Sequence, residues 1–359
     1  MKTLRVALAL LLFLSAVALV AQENQRTAQD LDLLEKAYAA RKAPDAAEWR
    51  GRVDGNMENL RTSFDWLIAH DRGEEALRFA IPFAYFLTAE NQQKDAGNVL
   101  TRALEVPSAR TATSIRAQAL YQAGILAFRE GDQARSRALN EESLRIARLL
   151  RDRAAEATAL IGLSRIALRN HDYKAVRADA EKAAELRRKA GDQAGSIAAM
   201  HMVAAAARMQ GDDARAQQIY ESTLVTYRAA GDKARATDEL FNLGYVQLHQ
   251  NRVAKAEELF GEALQEFRKR GNDAAVAYCL TGFAAADAAK KDGERAAQLY
   301  GAADAILKRL HITLDPDDQL DWDRYTAIAR NELGSERYET GFERGHSLTI
   351  DQAIALTRQ

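Results

Sequence analysis

The sequence predicts an all-α protein, an α-solenoid in which helical hairpins stack with a period of forty residues. Three observations predict it. The first is a register. Gly131, His171, Gly211, Asn251 and Lys291 fall forty positions apart, and the positions around them repeat in kind. Eleven residues before each stands Leu120, Leu160, Met200, Leu240 or Leu280, and seven before stands a small residue, Gly124, Ser164, Ala204, Gly244 or Ala284. Nine residues after come Asn140, Ala180, Tyr220, Phe260 and Tyr300, and twelve after come Ser143, Ala183, Thr223, Ala263 and Ala303. The second is composition: 47% apolar but only 7% aromatic residues fits an all-helical chain. The third is the near absence of helix breakers, with four prolines in 359 residues, Pro44, Pro82, Pro107 and Pro316.

Taken in order, residues 1–21 read as a secretory leader. Lys2 and Arg5 give a positive start, Val6 to Ala21 is apolar except for Ser15, and Ala16-Val17-Ala18 or Leu19-Val20-Ala21 suits a signal peptidase. The apolar run is short for a membrane span, so contact with a membrane is expected only if the leader stays uncleaved. Export to the periplasm or beyond follows as an expectation. Residues 22–53 form a polar N-terminal segment with a short helix expected over Asp30 to Ala40. Residues 54–110 read as degenerate helical repeats: a helix from Asp54 to Ala69, a turn at Asp71-Arg72-Gly73, and a helix from Glu74 that Pro82 should kink. The register reaches back to Asn91, and Pro107 closes that stretch.

Residues 111–312 hold five repeats. In each, an apolar first helix leads through a polar turn such as Gly211-Asp212 into an amphipathic second helix. The small positions allow close helix crossings, and the large residue of the partner helix fills the gap. Residues 313–359 depart from the pattern and should cap the array. Asp315-Pro316 opens one helix, Asn331 to Arg344 is a second, and Thr349-x-x-Gln352 is a capping box for a third.

The succession of large, small, aromatic and small positions resembles the tetratricopeptide repeat, which implies a right-handed α-solenoid. The usual repeat has 34 residues and a proline near the end of its second helix. Here that position holds Arg148, Arg188, Arg228, Arg268 and Lys308, so the helix should run on by about two turns until Gly191, Gly231 or Gly271 ends it. A HEAT-like array shares the period, but the small-residue spacing favours the tetratricopeptide pattern.

Flanking stretches extend the likeness: Glu48-Trp49, Glu58-Asn59-Leu60-Arg61 and Asp65-Trp66 near the start, then Arg295 to Ala303 and Gly341-Phe342-Glu343-Arg344-Gly345 near the end. With the repeats between them, residues 48–359 resemble the C-terminal MalT-like tetratricopeptide region of bacterial ATPase regulators of the LuxR and antibiotic-regulator type. The resemblance implies a module that senses a ligand or partner protein. The chain has no G-x-x-x-x-G-K-[ST] phosphate loop and no segment reading as a helix-turn-helix, which argues against direct transcription control.

Chemistry-bearing patterns are sparse. The histidines, His70, His171, His201, His249, His311 and His346, form no metal-ligand spacing, and His171 takes a turn slot that glycine fills elsewhere. The single cysteine, Cys279, sits beside core Leu280 and reads as a core thiol. Asp315, Asp317, Asp318, Asp321 and Asp323 lack the glycine and final glutamate of a calcium loop and read as helix-start charges. Repeats and cap leave no room for a catalytic domain. No enzyme activity, cofactor or metal is therefore expected, and a net charge of -1 argues against a nucleic-acid partner.

The inner wall carries the functional expectation. In such arrays the first helices line the concave face, and the register puts Tyr121, Arg129, Arg165, Arg169, His201, Arg208, Phe241, Tyr245, His249 and Tyr278 on it. Arginine forks recognise carboxylates and aromatics anchor a ligand, so the wall reads as a groove for an acidic peptide or a free C-terminus. A plainer reading pairs Arg165 and Arg169 with acids on neighbouring helices. The chain is thus expected to be an exported, non-catalytic scaffold or adaptor. The alternative is a ligand-sensing module for a small molecule or peptide.

Overall fold

The computed structural model describes residues 2–41, 43–90, 92–310 and 312–358, with side chains from residue 20 onward. Two expectations fall outside these residues, Asn91 as the first turn of the register and His311 as a surface histidine. Among the described residues there is no strand. The helices are α1 (Lys2–Ala39), α2 (Ala46–Asp54), α3 (Met57–Ala69), α4 (Gly73–Ala89), α5 (Gln93–Glu105), α6 (Ser114–Arg129), α7 (Gln133–Leu150), α8 (Arg153–Arg169) and α9 (Tyr173–Lys189). They continue as α10 (Gln193–Met209), α11 (Asp213–Ala229), α12 (Lys233–His249), α13 (Val253–Lys269), α14 (Asp273–Ala289) and α15 (Gly293–Arg309), then α16 (Pro316–Leu333), α17 (Ser335–His346) and α18 (Ile350–Leu356). They pack as successive hairpins in two units, Met1–Gly162 and Leu163–Gln359.

The forty-residue period has a simple local origin. Helices α10 to α15 each have 17 residues, and a three-residue turn separates each from the next. Two helices and two turns make one repeat. Every turn uses the same device. Residues 131, 151, 171, 191, 211, 231, 251, 271 and 291 all have positive φ, from 55° at Arg151 to 83° at Gly131. Glycine adopts that conformation freely, whereas Arg151, His171, Asn251 and Lys291 bear the cost of a left-handed side-chain residue. In most turns the next residue caps the following helix. Asp212 accepts from the Arg215 N–H, Asp232 from Arg235, Asn272 from Ala275 and Asp292 from Arg295. Each such cap is worth about 1 kcal/mol.

Packing within the hairpins follows the small-residue rule. A Cβ on Gly244 would lie 2.4 Å from the Phe260 ring, and one on Gly282 would lie 2.7 Å from it. The Phe260 ring is thus wedged between two helices that only glycine lets approach. In the first unit Asn140 takes the same slot between Gly124 and Gly162, with its Nδ2 donating to the Ser136 carbonyl at 2.8 Å.

The first unit differs from expectation at its start. Helix α1 is a single helix of 38 residues, in place of a short one from Asp30. Its Leu31, Leu34 and Ala37 are buried in the core with Leu60, Phe64 and Phe83, because the polar segment carries apolar residues at helical spacing. The helix expected from Asp54 begins at Met57 instead, after Gly55-Asn56 separates it from α2. Helix α4 runs on through a buried Pro82. No described helix is long and apolar enough to cross a membrane.

The second unit ends in three helices of different character. Helix α17 crosses α15 at backbone contact: a Cβ on Gly301 would lie 2.0 Å from the Phe342 carbonyl oxygen, and one on Gly345 would lie 2.0 Å from that of Gln298. These are the glycines of the Arg295 to Ala303 and Gly341 to Gly345 stretches. Helix α18 opens with the capping box at Thr349 and Gln352. Helix α16 instead lies against α10, α14 and α15.

Candidate functional site

The site lies in the second unit, where the N-terminal half of α16 meets the first helices of the repeats. Arg208, near the end of α10, is its centre and is only 2% exposed. Its Nη2 lies 3.0 Å from Asp317 Oδ2 and 2.8 Å from Asp318 Oδ1, and its Nε lies 3.5 Å from Asp321 Oδ2. Its Nη1 donates to Asn242 Oδ1 of α12 at 2.8 Å, and its guanidinium sits 5.2 Å from the centre of the Tyr245 ring. One arginine therefore takes three carboxylates from one helix. Spacing accounts for this: Asp317 and Asp321 are one turn apart on α16, and Asp318 is adjacent.

His249, at the end of α12, makes a second anchor. Its Nε2 is 2.6 Å from Asp321 Oδ1 and its Nδ1 is 3.0 Å from Asp213 Oδ1 of α11. Its ring stacks on Tyr325 of α16. Aromatic residues form the floor. Phe241 packs edge-on against Tyr245 and Tyr278, and the Tyr245 hydroxyl bonds Thr281 Oγ1 at 2.9 Å. The Asp315 main chain is in hydrogen-bonding reach of the Tyr278 hydroxyl. Trp322, further along α16, packs edge-on against Tyr300 of α15 at 4.6 Å.

The electrostatics are those of buried charge. Burial raises the Asp318 carboxyl, and Asp317 beside it pushes the same way, while Arg208 opposes them. Burial, followed by Asp317, also raises Asp315, against which Arg165 and Arg169 of α8 act as opposing charges. Burial lowers the Arg169 guanidinium, and Asp315 partly restores it. Burial would lower the His201 imidazolium, but Glu239 at 3.2 Å and nearby aspartates outweigh it and hold the group up at about 9. Burial raises Asp238 to about 6.

The sequence-derived wall residues thus divide. His201, Arg208, Phe241, Tyr245, His249 and Tyr278 gather in this one region, and Arg165 and Arg169 face Asp315 from α8. Tyr121 is half-buried and Arg129 exposed on α6 of the first unit, outside this cluster. Sequence reasoning missed the residues on the other side, Asp317, Asp318 and Asp321, together with Asp213 and Asn242. The available signal was the i, i+4, i+8 series Asp317, Asp321 and Tyr325, which puts acids and a tyrosine on one helix face. Cys279 is fully buried and burial pushes its thiol up, the behaviour of an inert core residue.

No family model and no curated protein matches the chain. Solved structures do. A Rap protein complexed with competence and sporulation factor is similar over 93% of this chain and 98% of that one, with a TM-score of 0.56 at 13% identity. A signal transduction ATPase with numerous domains from Pyrococcus horikoshii, which carries a tetratricopeptide repeat sensor, is similar over 86% of this chain, with a TM-score of 0.51 at 15% identity. The chain spans about half of that protein, 52% of its length. At such identities the likeness concerns the fold, an all-α array of tetratricopeptide-like helical hairpins.

Proposed function

We propose that this protein is an exported, non-catalytic scaffold or adaptor that holds an acidic segment of a partner protein against the inner wall of its second unit. The observation that carries the reading is the environment of Arg208. A buried arginine with an asparagine, a histidine and an aromatic floor around it receives three carboxylates from a single helix. Such a wall is complementary to an acidic helix in both charge and shape. Charge-assisted bonds of this kind give register and specificity as well as affinity.

The leader-like residues 1–21 support export, and sequencing the N-terminus of the protein from its own cells tests it. An intact Met1 would count against cleavage. Partner binding is tested with a panel of acidic peptides against the wild type and the Arg165→Ala/Arg169→Ala variant. Weaker binding by the variant is expected, and equal affinity would remove those two arginines from the site.

A second reading, a sensor, is favoured by the resemblance of residues 48–359 to the MalT-like region of ATPase regulators. The Rap protein of similar fold is complexed with competence and sporulation factor, but the reading here rests on this chain's own residues. A scaffold should co-purify with a protein from its native cells. A sensor should gain thermal stability from a small ligand, because a ligand that binds only the folded state raises the melting point.

A further inference from the structure

The first half of α16 is amphipathic in the inverted sense. Its Asp317 and Asp321 point inward and are 7% and 1% exposed, whereas Leu320 lies on the outside at 37%. In a helix that belongs permanently to its own core the apolar residues face in. The polar contact is also imperfect. Arg208 Nε and Asp321 Oδ2 are buried 3.5 Å apart, and neither makes a hydrogen bond. Desolvating charges offsets most of what their pairing returns, so a contact made of carboxylates on arginine is held less firmly than an apolar one of the same size. From Trp322 onward α16 is different, because Trp322 packs on Tyr300 and Tyr325 and Ala329 are buried. The helix is anchored at one end and held by charge at the other.

We propose that the groove beneath the first half of α16 is the docking site for an acidic helix of a partner protein, and that α16 occupies it as an internal stand-in which the partner displaces. The partner helix carries carboxylates at the spacing of Asp317, Asp318 and Asp321. This rests on the function proposed above and deepens it, since it names the partner's chemistry and explains how the wall stays closed without one. An internal competitor lowers apparent affinity by the fraction of molecules in which the groove is open.

The test uses the full chain and a fluorescent synthetic peptide of residues 312–326 as probe, followed by anisotropy. The Asp317→Asn/Asp321→Asn variant loosens α16, and Asp318→Asn does so more mildly should the double variant not fold. Far-UV circular dichroism and melting report the fold of each. The loosened chain is expected to bind the probe about tenfold more tightly than the wild type, matching a tenfold rise in the open fraction. Adding Arg208→Ala to it should abolish binding. Equal, Arg208-dependent affinity of wild-type and loosened chains would overturn the displacement while leaving the groove as a binding site. Absence of binding to any folded variant would overturn the groove itself. A probe with its three carboxylates moved two positions along should bind at least tenfold more weakly, and equal binding would overturn the spacing.

Discussion

Two helices close the same end of the second unit by opposite means. Helix α17 lies on α15 with backbones touching, which Gly301 and Gly345 permit. The first half of α16 lies on α10 and α12 through carboxylates gathered on Arg208 and His249. The close packing of Gly301 on Phe342 and of Gly345 on Gln298 is dispersion contact, lost outright when the helices part. Carboxylates and a guanidinium lose less, because water solvates both when they part. The difference teaches which cap helix is structural and which is exchangeable, and substitutions at the two contacts should separate them.

The largest effect is expected at the glycine crossing. Gly345→Val should destabilise the second unit by about 3 kcal/mol, since its side chain would meet the Gln298 carbonyl and neither backbone can yield cheaply. Chemical denaturation checks this, and a cost near zero would mean that the crossing is looser than it looks. Arg208→Ala should cost less, about 1–2 kcal/mol, although removing one partner of a fixed buried pair commonly costs about 3–5 kcal/mol. The first half of α16 can leave and hydrate its aspartates, which caps the loss. Its signature is faster exchange of the α16 amides with α17 unchanged.

A pH dependence should follow. His201 is held up at about 9 against an ordinary 6.5, and Asp318 is raised by burial and by Asp317. Both groups take up protons more readily in the folded chain than in the unfolded one, His201 because Glu239 of α12 outweighs its burial. Their contribution is therefore full at low pH, and that of His201 is lost as pH rises from about 6.5 through about 9. Stability to denaturant should therefore fall over that range, and a flat profile would contradict the assignment. The smallest effect concerns a turn. Lys291 has a φ of 65° in a slot that glycine fills elsewhere, so Lys291→Gly should stabilise by about 0.5 kcal/mol. A lower melting point would show that the lysine side chain contributes more than the strained backbone costs.

The fold was legible because each repeat declares itself locally. From residue 131 to residue 291 positive-φ residues recur every twenty positions, aspartates follow most of them, and small residues face large ones at fixed offsets. The start of the chain was less legible. Leu31, Leu34 and Ala37 are diluted by polar neighbours, and their burial depends on α3 and α4. The wall residues could be read from register alone, since helical spacing puts His201 and Arg208 on α10 and Tyr245 and His249 on α12. What covers them could not. Asp318 stands 110 residues from Arg208, and a run of acids at a helix start reads the same whether water or an arginine faces it. Only the three-dimensional path of the chain distinguishes the two.

The central claim is that α16 is held to the wall by a reversible contact, and amide hydrogen exchange of the full chain tests it most directly. The amides of Gln319–Asp323 are expected to exchange through local opening, well before those of α17 and α12, and faster still when an acidic-helix peptide competes for the wall. Exchange of α16 and α17 together, only through global unfolding and at one common rate, would contradict the account.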